Sequence, residues 1–107
     1  MYLIQLLLPT MSPEDVPFAP ALFVTTRAEL LARFGGLTAY TRSAAKGAWI
    51  APDGQVERDE VVMVEVVTDT WDTGWWGEYA EILRKRFQQD EIHVRALPID
   101  VLEGSSR

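Results

Sequence analysis

Gln5, Glu65, His93 and Arg95 are the residues of this chain whose types could do chemistry together. Each interrupts an otherwise apolar, alternating segment, so all four are expected to project from one face of a sheet. A carboxylate beside a guanidinium keeps its charge, which would leave His93, the single histidine, to act as an acid or base. If the strand carrying Gln5 runs between those carrying Glu65 and Arg95, the two charges sit about 10 Å apart at the backbone. Arginine is long enough to close that gap, with Gln5 as the bridge. A structural reading carries more weight: a salt bridge that fixes register or subunit orientation, with His93 packed or exposed at the sheet edge. On the enzymatic reading Glu65, His93 and Arg95 are the polar participants, with Gln5 beside them and Tyr40 or Trp75 as the wall of a ligand cavity.

Other candidate chemistry is thinner. Trp71, Trp75, Trp76 and Tyr79 are close in sequence and could wall an apolar pocket, although aromatics at helical spacing are more often core. Trp71 and Trp75 would lie one turn apart if both are helical, and Trp49 could anchor a subunit contact. Gly35-Gly36 follows a helix C-terminus, the wrong dipole end for a phosphate. The serines have no local histidine, and the acidic run Glu57-Arg58-Asp59-Glu60 lacks the glycine and ligand spacing of a calcium loop. Those charges suit a solvated strand edge better. No metal site and no cofactor are expected.

The elements that would hold these residues follow from periodicity. Residues 2–8 are an apolar run apart from Gln5, stopped by Pro9, which suits a strand buried on both faces. Residues 9–17 carry three prolines and form a loop. The next helix ends at Phe34 before Gly35-Gly36. It starts either near Ala19, with Pro20 in the first turn, or at Arg27, where Thr26 and Glu29 have capping-box spacing. Leu22, Phe23, Leu30, Leu31 and Phe34 make its buried stripe. Residues 37–50 are strand-like with an interruption at 43–47, and Pro52-Asp53-Gly54 is a hairpin turn. The strongest strand covers residues 60–68.

A second helix follows, capped between Asp69 and Thr73, with Trp75, Trp76, Tyr79, Ile82, Leu83 and Phe87 inward. Glu81 and Lys85 have the favourable acid-before-base spacing on its outer side. Residues 91–97 make the last strand, and 104–107 a frayed tail after a single domain of residues 1–103. The order predicts an α+β, ferredoxin-like βαββαβ fold, a four-stranded antiparallel sheet in order 4-1-3-2 with both helices on one face.

Alternation then assigns the two faces. Ile4, Leu6, Leu8, Val62, Val64, Val66, Ile92, Val94 and Ala96 should meet the helices. Leu3, Leu7, Val61, Met63, Val67, Leu97 and Ile99 would face water beside the polar four. Even at ~1 kcal/mol each, exposing them forfeits a sum comparable to the stability of a small domain. A second copy is therefore expected on the open face, as a twofold homodimer with sheets packed face to face. The alternative cover is the C-terminal segment of residues 98–102.

Charge and composition bound the partners. The net charge is −6, and its excess is confined to residues 56–107, with twelve acidic against six basic groups, while residues 1–55 hold four of each. Nucleic acid is an unfavourable partner for that sign, and the residues 60–68 carry no aromatic platform for RNA. The absence of cysteine removes disulfides, zinc–thiolate sites and thiol catalysis, and fits a cytoplasmic setting. The N-terminal run is too short for a membrane span.

Phe34-Gly35-Gly36-Leu37-Thr38-Ala39-Tyr40, with Gly47-Ala48-Trp49, Pro52-Asp53-Gly54 and the valine-rich strand, resembles a small bacterial family of dimeric α+β barrel type, over residues 2–97. In that family a helix ends in Phe-Gly-Gly and a strand follows with Thr. The resemblance implies ferredoxin-like domains paired through their sheets. Such folds include cofactor-independent monooxygenases, isomerases and haem proteins, but none of their site residues maps onto this chain, so the resemblance implies no activity. Two functions remain open: a non-enzymatic interaction or small-ligand-binding module, and a cofactor-independent enzyme acting on a small apolar or aromatic compound. An enclosed cavity reaching His93 would favour the second.

Overall fold

β1 (Tyr2–Pro9) realises the apolar N-terminal run, and α1 (Pro20–Phe34) follows with proline in its first turn. The computed structural model describes residues 1–43, 49–50, 56–57 and 60–102. α1 takes the longer of the two expected starts. It stops at Gly35, whose φ of +79° is left-handed and whose N–H donates to the Leu31 carbonyl at 2.8 Å. Thr26 is therefore no cap. It is fully buried in mid-helix, its hydroxyl donating to the Leu22 carbonyl at 2.8 Å.

β2 (Thr38–Ser43) leads to two short strands, β3 (Trp49–Ile50) and β4 (Val56–Glu57), which pair with one another as a separate hairpin. β5 (Glu60–Thr68) comes next, then α2 (Thr73–Arg86), capped by Asp72, whose carboxylate accepts from the Trp75 N–H at 3.1 Å. β6 (His93–Pro98) closes the chain order. The four long strands form one antiparallel sheet in the order β2-β5-β1-β6, the expected order read from the other edge. This is the ferredoxin-like βαββαβ arrangement.

Register sets the faces. Ile4 stands opposite Val66 and Ala96, Leu6 opposite Val64 and Val94, and Leu8 opposite Val62. Ile4, Leu6, Leu8, Val64 and Val66 are buried, and most pack with Leu30 of α1 and Trp76, Tyr79 and Leu83 of α2, so one sheet face carries both helices. Phe87, at the C-terminal cap of α2, is fully buried between the Phe18 and Phe23 rings, at 5.3 and 5.2 Å.

Several expectations are corrected. Leu31 and Ile82 are half exposed, at 51% and 50%. Each sits about 100° round the helix from a fully buried neighbour, Leu30 or Leu83, so the buried stripes are narrower than the apolar runs. Glu81 pairs with Arg84 rather than Lys85, in a two-point contact at 2.6 and 2.9 Å. Trp71 precedes α2 and is not a turn away from Trp75 within it. β6 begins at His93, leaving Glu91 and Ile92 outside the strand.

The open face also differs from the expectation of uniform wetness. Met63 is fully buried within the single chain, and Leu3, Leu7 and Val61 are half-buried, whereas Val67 and Leu97 are 47% and 41% exposed. The segment after β6 does not cover this face, since Val101 and Leu102 are exposed and only Ile99 is partly enclosed, its N–H donating to the Met1 carbonyl. The interruption after Ser43, the Pro52-Asp53-Gly54 turn, Arg58 and Asp59 of the acidic run, the Trp49 side chain and the tail lie outside the described residues.

Candidate functional site on the open sheet face

The strand order makes β1 the bridge between β5 and β6, and the register places Gln5 opposite both Glu65 and Arg95. Gln5 Nε2 donates to Glu65 Oε2 at 2.7 Å, and Arg95 Nε donates to Gln5 Oε1 at 2.6 Å. One amide therefore serves a carboxylate on one side and a guanidinium on the other. Thr38 extends the row onto β2, opposite Glu65. Glu65 Oε1 and the two terminal nitrogens of Arg95 have no partner among the described residues.

The remaining sequence candidates are not drawn into this row. His93 lies opposite Leu7, two residues from Arg95 on the edge strand, and is exposed. Tyr40 lies opposite Met63 and is 41% exposed. Trp75 belongs to the helix layer, stacked on Tyr79 at 5.0 Å and edge-on to Phe34 at 5.3 Å. The Arg33 guanidinium lies over the Trp75 ring at 4.3 Å, a cation–π contact that holds the end of α1 to α2.

Glu65 does have a space beside it. A cleft of about 330 Å³ is lined by Phe34, Gly35, Gly36, Leu37, Thr38, Glu65 and Val67. The end of α1, the start of β2 and the middle of β5 build it. Its walls combine half-buried Phe34 and Leu37 with the Glu65 carboxylate. A second cleft, about 230 Å³, lies between α2 and β6 and is lined by Trp71, Thr73, Trp76, Gly77, Ala80, Ile92 and Val94. Neither of these clefts reaches His93.

The cleft wall was only partly legible in the sequence. Phe-Gly-Gly marks the end of a helix, but nothing local says that Thr38 will stand opposite Glu65. A second polar cluster escaped sequence reading altogether. Across the helix pair, Arg86 makes a two-point contact to Glu29 at 2.6 and 3.0 Å and also donates to Thr26 Oγ1 at 2.9 Å. Tyr79 donates its hydroxyl to Glu29 Oε1 at 2.9 Å. The Arg86 hydrogen bonds hold the Glu29 carboxyl below its ordinary range, and Arg86 is raised in turn. Burial, then the neighbouring Glu29, pushes the Tyr79 phenol well up. This cluster locks α1 to α2 and lines neither of the two clefts.

No family model matches the chain, and no curated protein does. Among solved structures it is similar to a phage SAM lyase in complex with S-methyl-5'-thioadenosine. The match has a TM-score of 0.60 at 13% identity and covers 90% of this chain and 79% of that one. At that identity the likeness is one of fold. No helix among the described residues is long and apolar enough to cross a membrane.

Proposed function

We propose that this chain is a small-ligand-binding module that works as a homodimer, with the open sheet face as its functional surface. The observation that carries the binding role is the cleft beside Glu65: about 330 Å³, the small end of ligand-site sizes, with apolar walls and a carboxylate oxygen left without a partner among the described residues. Such a site suits a compound with an apolar or flat body and hydroxyl or amino donors. The phage SAM lyase of this fold is solved with a ligand of that description, a nucleoside carrying a methylthio group. Pairing through the open face is supported by the half-exposed Val67, Leu97 and Tyr40, which a second copy would cover.

One observation favours the second reading, a cofactor-independent enzyme: the fold neighbour is a lyase. Against it, His93 and Arg95 line no part of the cleft, so no acid–base pair stands where a substrate would sit.

The test is an amide-resolved NMR titration with S-methyl-5'-thioadenosine, followed by incubation with S-adenosylmethionine and analysis for products. Saturable shifts at Leu37, Thr38, Glu65 and Val67, lost in Glu65→Ala and without turnover, are the expected result. Turnover of S-adenosylmethionine would replace this reading with the enzymatic one. Silence of the cleft amides at millimolar ligand would end the proposal.

A further inference from the structure

The Glu65–Gln5–Arg95 row has a direction. Its acid lies on β5, toward β2, and its base lies on the β6 edge. The row on one side, Val67, Leu3 and Leu97, is apolar and partly exposed, and the row on the other runs Tyr40, Met63, Leu7 and His93, with Met63 already buried within the single chain. A twofold axis lying between two such sheets and parallel to their strands keeps each row at its own height and reverses it end to end. The Val67–Leu3–Leu97 row then meets its own reverse, apolar against apolar. With the axis over Gln5, the Glu65–Gln5–Arg95 part of the polar row meets its own reverse, Arg95 over Glu65 on both sides, and Thr38 of each copy lies beyond the other copy's β6 edge. A twofold axis running along the row, perpendicular to the strands, would instead set like charges over one another.

From this self-complementarity we infer that a second copy completes the cleft, with Arg95 of the partner subunit pairing with Glu65 and the reciprocal pair forming on the other side. The inference rests on the binding reading above and specifies its partner. The atoms it needs are those the single chain leaves over. Glu65 has spent only Oε2, on Gln5, and Arg95 only Nε, and because a carboxylate oxygen accepts twice, Oε1 can take the guanidinium and still receive a ligand's donor. Stacked sheets sit about 10 Å apart, a gap that a glutamate and an arginine reaching toward each other can span. A guanidinium over Glu65 lies beside Thr38 and Val67 and so gives the open cleft a wall from the partner.

Charge reversal tests this directly, read by sedimentation equilibrium of the full chain with circular dichroism as the control for folding. Glu65→Arg and Arg95→Glu each bring like charges opposite one another twice. Each should weaken the dimer by about tenfold or more. The double variant restores opposite charges, and the Gln5 amide can turn over to serve them, so dimerisation should return. Single variants that stay as dimeric as the wild type would overturn the crossed pair while leaving self-association standing. A double variant that stays monomeric would overturn it as well. A monomeric wild type would instead remove the homodimer itself. If a reversed side chain disturbs folding, the neutral Arg95→Gln carries the same test. It should raise the dimer dissociation constant severalfold and reduce its salt dependence, and an unchanged constant would overturn the pairing.

Discussion

Gln5 and Glu65 face each other across the β1–β5 ladder and are joined by a 2.7 Å hydrogen bond from Gln5 Nε2 to Glu65 Oε2. The other end of the same amide accepts from Arg95 at 2.6 Å, so Gln5 couples two charges carried on different strands. Gln5→Ala removes both bonds and should lower stability by about 1–2 kcal/mol, a value set by charged hydrogen bonds on a half-buried face. Urea unfolding measures it. No loss in Gln5→Ala would show that the row is geometry without energetic coupling.

Glu29 and Arg86 give the protein an acid-sensitive lock between its helices. The folded carboxyl titrates below its unfolded range, held there first by the Arg86 hydrogen bond. In the interval between the two values the unfolded chain binds more protons, so stability rises with pH there. The contribution is complete above the ordinary carboxyl range and fades as pH falls through the folded value. Because Glu29 is 42% exposed, solvent screens the pair and the effect is modest. Unfolding midpoints compared between about pH 7 and pH 3 should drop less in Glu29→Gln than in the wild type.

Tyr79 supplies an alkaline counterpart. Its phenol is raised by burial and by Glu29, so the folded state keeps it protonated where an unfolded tyrosine ionises, and its stabilisation is lost as pH climbs. Absorbance titration of the folded protein near about pH 10.5 should give the same tyrosinate signal for wild type and Tyr79→Phe. A smaller signal from the variant would mean that Tyr79 titrates normally.

The backbone offers a contrast between adjacent glycines. Gly35 is left-handed at φ +79°, whereas a side chain at Gly36 would meet nothing within 4 Å. Gly35→Ala should cost about 1 kcal/mol, and Gly36→Ala should be near neutral. At the end of α2 the same position is filled by Gln88, at φ +53°. Gln88→Gly should therefore stabilise by about 0.5–1 kcal/mol. Thermal melts of the three variants decide it, and equal effects at Gly35 and Gly36 would contradict the cap.

Met63 measures how far the open face is already closed. A methionine bathed in water could be truncated at little cost, but this one is fully buried. Met63→Ala should lose about 2–5 kcal/mol in chemical unfolding, as for a core position. A loss below about 0.5 kcal/mol would return Met63 to the wet surface.

Much of this fold was written in local pattern. β5 runs over the residues that the valine-rich alternation marks, because β-branched density and period two act within the strand itself. The Gln5–Glu65–Arg95 row was legible once β1 was placed centrally, since alternation fixes faces and strand order fixes neighbours. The cleft was less so. Its Thr38–Glu65 pairing depends on how β2 aligns with β5 across a long intervening stretch, and no residue there announces it. Thr26 and Glu29 show the limit most plainly: their spacing imitates a capping box, yet their partner Arg86 is far along the chain, 57 residues beyond Glu29. Met63 was misplaced because alternation gives a direction but says nothing about what closes over it.

Sedimentation equilibrium of the unmodified chain at tens of micromolar tests the central claim, that the open sheet face is a surface for a second copy. A mass near twice the 12.1 kDa of one chain is expected. A mass of one chain at every concentration would leave Val67 and Leu97 in solvent and contradict the account.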